Sequence, residues 1–275
     1  MKKLLIIVGV VVTASVIAGG YTLFMQKNSA SKQVNNTKLE YAMDIEDNAT
    51  ASQLNFTIQD QDKKPLSTGL EEAHGESVHV YVVSSNGSDY RHLHPHYEKK
   101  TEKYMLHNLK EFNQGKYRIH ASFTPNSSEV NNEGSKKAVN LHRNVTIGKK
   151  SSGANQAQTV EKLEATSGDL TARVFEVPND GGGKSVYVSG ITNTLAFSVL
   201  KNEVDYKDFA ANSANLVVFS PTGELVQTKS AQASSTKSAL VGFTLTYPDP
   251  GVYTAFLELK DKGKIKTFSF NIGVN

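Results

Sequence analysis

Two blocks of this sequence recur at one fixed separation, which limits the chain to folds that can be built from two copies of one unit. Residues 80–87 (VYVVSSNG) align with residues 216–223 (LVVFSPTG), and residues 115–117 (GKY) align with residues 251–253 (GVY). The separation is 136 residues in both cases, so no gap is needed between the blocks. A chain of 275 residues has room for roughly two domains of ordinary size. The sequence therefore predicts a tandem pair of related domains.

Short runs of alternating or β-branched residues are the main secondary-structure signal in both copies. Turn signals such as Asn86-Gly87, Asp180-Gly181 and Asp249-Pro250-Gly251 separate them. The runs are residues 54–58, 78–83, 117–123, 186–188, 195–199, 216–219 and 252–259. This spacing is typical of β-sandwiches and not of helical domains.

The repeated Gly-x-Tyr element resembles the tyrosine corner of immunoglobulin-like domains, in which the phenol bonds to backbone upstream. It occurs twice in register, at Tyr117 and Tyr253. We therefore predict an all-β fold of two tandem immunoglobulin-like β-sandwiches that follow an N-terminal transmembrane helix. The predicted domains are residues 38–148 and 160–275, and a polar linker at residues 149–159 joins them.

The N-terminus predicts export across a membrane. Two lysines precede an uncharged, mostly apolar run at residues 4–25, which as a helix would reach ~33 Å and cross a bilayer core of ~30 Å. The basic start favours a cytoplasmic N-terminus and extracellular domains, tethered by a single span and by a polar linker at residues 26–37. A cleaved signal peptide is the alternative, because small residues near Ala18 suit a signal peptidase, and the protein would then be secreted.

Composition removes several classes of function. The net charge of +3 gives no electrostatic argument for nucleic-acid binding. The chain has no cysteine, which excludes disulfides, thiolate metal sites and cysteine nucleophiles. It also carries no Gly-x-Ser-x-Gly elbow, His-Glu-x-x-His helix or phosphate-binding glycine loop. We therefore predict a protein that is not an enzyme, with no catalytic and no organic cofactor-binding residues.

The histidines are concentrated in the first copy of the repeat. All eight lie between His74 and His142, and the segment at residues 90–97 reads YRHLHPHY. One repeat length later, His79, His92, His94 and His96 are replaced by Asn215, Thr228, Ser230 and Gln232. The second copy therefore predicts that the repeated fold does not need imidazoles at these four positions. We interpret the histidines of the first copy as an addition to the fold.

Strand geometry predicts which of these histidines converge. Alternate residues of a strand share a face, so His92 and His94 point together. His79 lies on the preceding strand, across from one of them if the two strands pair. We predict a metal site of His79, His92, His94 and His96, with His74 as a further candidate. Pro95 places the end of this segment at a sheet edge or in a loop.

Imidazole nitrogens at this spacing suit Cu(II) or Zn(II). A thioether-rich Cu(I) site is disfavoured, because outside the apolar N-terminal run only Met43 and Met105 are present.

The predicted function is an extracellular, membrane-tethered metal-binding protein that buffers or delivers copper or zinc in the cell envelope, with an envelope partner not identified by the sequence. Three alternatives stay open: a structural or adhesive envelope module with incidental surface histidines, a pH-sensing histidine surface, and a hydrolase built on the same cluster.

Several segments resemble a family of secreted or membrane-anchored bacterial proteins with YtkA-like immunoglobulin-like domains. They are residues 78–84 (VHVYVVS), 90–95 (YRHLHP), 112–117 (FNQGKY) and 121–125 (ASFTP). The resemblance implies copper or other heavy-metal handling in the envelope, and His79, His92 and His94 match the family pattern. His120 stands where that family more usually has an apolar residue. Members of that family often repeat a His-x-His-Pro segment in their second domain. This chain has residues 228–231 (TKSA) there instead, so the resemblance implies one metal site.

Overall fold

Seventeen β-strands and one short 3-10 helix make up the part of the chain that the computed structural model describes. It describes residues 41–46, 53–73, 75–128, 136–147, 160–175, 187–209, 214–230 and 239–275. The predicted anchor and both predicted linkers lie outside these residues, as does His74. Among the residues that are described, no helix is long and apolar enough to span a bilayer.

Two four-stranded antiparallel sheets form the first half, residues 41–147. Its strands are β1 (Ala42–Ile45), β2 (Gln53–Gln59), β3 (Val78–Ser84), β4 (Tyr90–Leu93), β5 (His96–Glu98), β6 (Lys103–His107), β7 (Gly115–Phe123) and β8 (Val139–Ile147), with the 3-10 helix at Leu109–Glu111. The sheet orders are β1-β2-β6-β5 and β4-β3-β7-β8. Alternate residues such as Phe56, Val80 and Ile119 fill the core of this half, as the two-residue period of a strand requires.

The second half, residues 160–275, has the same layered construction. Its strands are β9 (Glu164–Ser167), β10 (Leu170–Phe175), β11 (Thr192–Lys201), β12 (Val204–Asp205), β13 (Asn215–Phe219), β14 (Leu225–Ser230), β15 (Leu240–Thr246), β16 (Gly251–Asp261) and β17 (Lys264–Val274). One sheet has the order β12-β11-β10-β9 with β15 also on β11, and the other has the order β14-β13-β16-β17. The predicted all-β, sandwich-like class is therefore confirmed.

Strand registers reproduce the sequence repeat. The central pairs are Val80 with Ala121 and Leu93, and Leu216 with Leu257 and Lys229. Each residue of the second set follows its counterpart by 136 positions. The three-stranded units β4-β3-β7 and β14-β13-β16 thus have the same register, so equivalent positions in the two halves can be compared directly.

Both repeated tyrosines bond to backbone four residues upstream. The Tyr117 hydroxyl donates to the carbonyl oxygen of Asn113 at 2.9 Å, and the Tyr253 hydroxyl donates to that of Asp249 at 2.7 Å. The prediction that each Gly-x-Tyr element forms such a corner is confirmed. These bonds fix the start of β7 and of β16, the strands that pair with β3 and β13.

The two halves pack through the outer faces of these repeated sheets. Val82 points into the core of the first half, while Tyr81 and Val83 point towards the second half. The contact cluster between the halves consists of Tyr81, Val83, Val217, Phe219 and Phe256, with Tyr90 and Leu225 at its edge. Residues 41–275 accordingly form one compact unit. Because side chains alternate along β3, His79 lies on this same outer face.

Candidate metal centre

Antiparallel pairing of β3 with β4 brings three of the predicted histidines together. Tyr81 pairs with His92, and Val80 pairs with Leu93. One further step in this register places position 94 opposite His79. The three side chains therefore share the outer face of the sheet, and each contributes one ring nitrogen to a group within 4.8 Å.

The closest pair already has the spacing of two ligands on one ion. His79 Nδ1 lies 3.1 Å from His92 Nε2. Two nitrogens bound at about 2.0–2.1 Å to a tetrahedral ion lie about 3.3 Å apart. The His94 ring is centred 5.1 Å from that of His79 and 5.0 Å from that of His92, so a small shift of His94 would complete a three-nitrogen site.

Outer contacts orient two of the three rings. His79 Nε2 lies 3.0 Å from the carbonyl oxygen of Ala73, and His92 Nδ1 lies 3.0 Å from Glu258 Oε2. Carbonyl and carboxylate oxygens accept hydrogen bonds, so each ring carries its hydrogen on the outer nitrogen. If both rings are neutral, the inner nitrogens of His79 and His92 then face each other with their lone pairs. Metal-binding histidines have this arrangement, in which the second nitrogen is held by a carbonyl or a carboxylate.

The surroundings leave one side of the group open to solvent. His79 and His92 are half-buried and His94 is exposed. The Tyr81 ring packs on His92 with ring centres 4.6 Å apart. Burial and the nearby Glu258 raise the pKa of Tyr81 above its ordinary value, so this phenol stays neutral at physiological pH. A cavity of about 200 Å³ adjoins His79 and His92 and is also lined by Thr228 and Lys229.

The structure does not bring His96 to this group. Pro95 lies between β4 and β5, and after it the chain joins the other sheet of the first half, where His96 pairs with Met105. His107 is exposed on β6 of that same sheet. Met43 is buried in the core and offers no thioether to the site.

His120 and His142 form a separate pair on the outer face of β7 and β8. His120 points away from the core of its own half, yet only 1% of it is accessible, because Phe219 of the second half covers it at a ring-centre distance of 5.0 Å. Burial, then the positive charges of His142 and Arg118, lower the pKa of His120 to about 3. His142 itself contacts Glu224 at 3.1 Å.

Sequence reasoning missed Glu258, the carboxylate that orients His92. It is the single charged residue in the apolar run at residues 252–259, and a lone charge in a buried strand was the available signal. Only 4% of Glu258 is accessible. The interaction joins residues that are 166 positions apart.

Comparisons with known proteins give little beyond this geometry. Residues 32–133, which include the three histidines, match the family described as a domain of unknown function (DUF8832). No curated protein matches the chain. Similar solved structures include fibronectin(III)-like modules of Clostridium thermocellum CbhA, with 9% identity, 85% of this chain and 94% of that chain covered, and a TM-score of 0.24.

Two further solved structures are similarly distant. Red sea bream transglutaminase has 9% identity and a TM-score of 0.23, with 90% of this chain and 32% of that chain covered. A DUF3823 family protein from Bacteroides uniformis has 11% identity and a TM-score of 0.22, with 78% and 94% covered. TM-scores this low support no argument about function.

Proposed function

We propose that this chain is a metal-binding protein of the cell envelope that holds one Cu(II) or Zn(II) ion through His79, His92 and His94. Two immunoglobulin-like halves would carry the site outside the cell, tethered through the apolar run at residues 4–25. The role would be buffering or delivery of the metal, without chemical turnover. The tyrosine corners support the immunoglobulin-like assignment, and the two lysines before the apolar run support the orientation.

One observation carries the proposal: His79 Nδ1 and His92 Nε2 lie 3.1 Å apart, while the outer nitrogen of each ring lies 3.0 Å from an oxygen that accepts a hydrogen bond, so neutral rings would turn their lone pairs towards each other. Two lone pairs at this distance repel unless a cation lies between them. A metal ion satisfies both nitrogens and the nearby His94. A shared proton is the other way to satisfy them, and it would make the pair a histidine–imidazolium contact.

The contacts of the group argue against incidental surface histidines. Solvated histidines on a strand need no fixed outer partner, yet His79 and His92 each have one at 3.0 Å. The equivalent positions of the second half, Asn215 and Thr228, lie in the same register without imidazoles. Packing of the repeated unit therefore does not require histidine at these places.

Access to solvent favours an exchangeable site over a permanently closed one. The side chain of His94 is 43% accessible, and three nitrogen ligands leave a fourth position open on a tetrahedral ion. Copper binds more tightly than zinc to an equivalent nitrogen site, so metal supply would decide which ion is held. Both features fit a protein that takes up and releases its metal.

The proposal is tested by the metal content of the full-length protein purified from its native envelope without chelators. We expect about one equivalent of copper or zinc per chain by inductively coupled plasma mass spectrometry. The same protein carrying His92→Ala and His94→Ala is the control and is expected to retain none. Metal-free native protein that also fails to bind added Zn²⁺ or Cu²⁺ would contradict the proposal. A proton shared by His79 and His92 would then explain their close contact.

A further inference from the structure

A carboxylate of the second half completes the surroundings of the histidine group in the first half. Glu258 lies on β16 next to the contact cluster between the halves. Its Oε2 accepts from His92 Nδ1 at 3.0 Å, and its Oε1 accepts from the Tyr90 hydroxyl at 3.3 Å. Both donors belong to the first half.

The position of Glu258 is costly unless these partners are present. A carboxylate that is 4% accessible loses its hydration and needs hydrogen-bond donors to replace it. The apolar ring of Phe256 lies two residues before it on the same face of β16. The equivalent position in the first half is Ser122 on β7, so the repeated unit does not require an acid here.

We infer that Glu258 is a positioning residue of the metal centre, which makes the affinity of the site depend on the contact between the two halves. This inference rests on the proposed metal-binding function. By accepting from Nδ1, Glu258 keeps the hydrogen of His92 on that nitrogen and directs the lone pair of Nε2 towards His79. A first half without this carboxylate would lose both the ring orientation and the tautomer.

Replacement of Glu258 in the full-length chain tests the inference. Glu258→Leu keeps the size of the side chain and removes the acceptor, and Glu258→Gln keeps an oxygen but removes the charge. We expect the affinity for Zn²⁺, measured by competition with a chelator, to fall about 10- to 100-fold in the leucine variant and by a smaller factor in the glutamine variant. In the metal-free protein, ¹⁵N spectra of His92 are expected to show the hydrogen on Nδ1 only while Glu258 is present.

A second histidine–carboxylate contact between the halves provides the matched control. His142 and Glu224 lie 3.1 Å apart, outside the three-histidine group, so Glu224→Gln is expected to leave Zn²⁺ affinity and the His92 tautomer unchanged.

Equal affinity in the wild-type protein and both Glu258 variants would overturn the inference while the metal function stands. An equal loss in the Glu224 variant would overturn it as well, because the effect would then be general to the interface. Absence of Zn²⁺ binding by the wild-type protein would instead remove the proposed function itself. If the leucine variant does not fold, the glutamine variant decides: a fall in Zn²⁺ affinity that is absent from Glu224→Gln supports the inference, and wild-type affinity overturns it.

Discussion

Replacing His92 and His94 together by alanine is expected to lower the affinity of the full-length chain for Zn²⁺ or Cu²⁺ by at least about 100-fold, or about 2.8 kcal/mol. Loss of an outer contact alone costs about 10- to 100-fold, and this variant removes two direct ligands. The remaining imidazole of His79 would bind as weakly as any surface histidine. Titration against a competing chelator measures the change.

The chain contains a matched control for this experiment. His96 and His107 are both exposed, and both lie on strands of the other sheet. The variant His96→Ala with His107→Ala removes the same number of imidazoles and is expected to bind metal like the wild-type protein. A comparable loss in this control would restore His96 to the site and contradict the assignment to three histidines.

Lowering the pH from about 7.5 to about 5 is expected to reduce the free energy of unfolding by about 2 kcal/mol through His120 alone. Its pKa falls from the ordinary 6.5 to about 3 in the folded protein. The unfolded chain therefore binds a proton at this residue below pH 6.5 while the folded chain does not. The contribution of His120 to the free energy of unfolding is therefore fully present above about pH 6.5, and it is lost progressively as the pH falls towards 3. Urea unfolding at the two pH values measures the difference.

His120→Phe isolates this contribution from those of other titrating groups. Phenylalanine is the residue at the equivalent position of the second half, Phe256, and it would keep the ring contact with Phe219. It would also remove the buried Nε2 of His120, which makes no hydrogen bond within the described part of the chain. We expect the variant to lose about 2 kcal/mol less than the wild-type protein on acidification. Identical losses in the two proteins would show that His120 is not buried in its neutral form.

The grouping of His79, His92 and His94 was predictable because it depends on local features. β3 and β4 are consecutive strands, so their pairing follows from short-range sequence, and the two-residue period fixes which side chains share a face. The repeat gave independent support, because equivalent strands in the second half have the same register without histidines.

Features that depend on packing between the halves could not be predicted in this way. Glu258 meets His92 only because the outer faces of two sheets are in contact, and no local pattern specifies that contact. The burial of His120 has the same origin, since the sequence of β7 indicates only on which face of its sheet His120 lies. His96 flanks the other histidines in the sequence, but after Pro95 the chain joins the other sheet, where His96 pairs with Met105.

X-ray absorption spectroscopy of the metal-loaded, full-length protein tests the central claim most directly. A single ion held by His79, His92 and His94 would show three imidazole nitrogens at about 2.0–2.1 Å for zinc, with the multiple-scattering pattern of the rings. A shell of oxygen ligands, or the scattering of one imidazole only, would contradict the account.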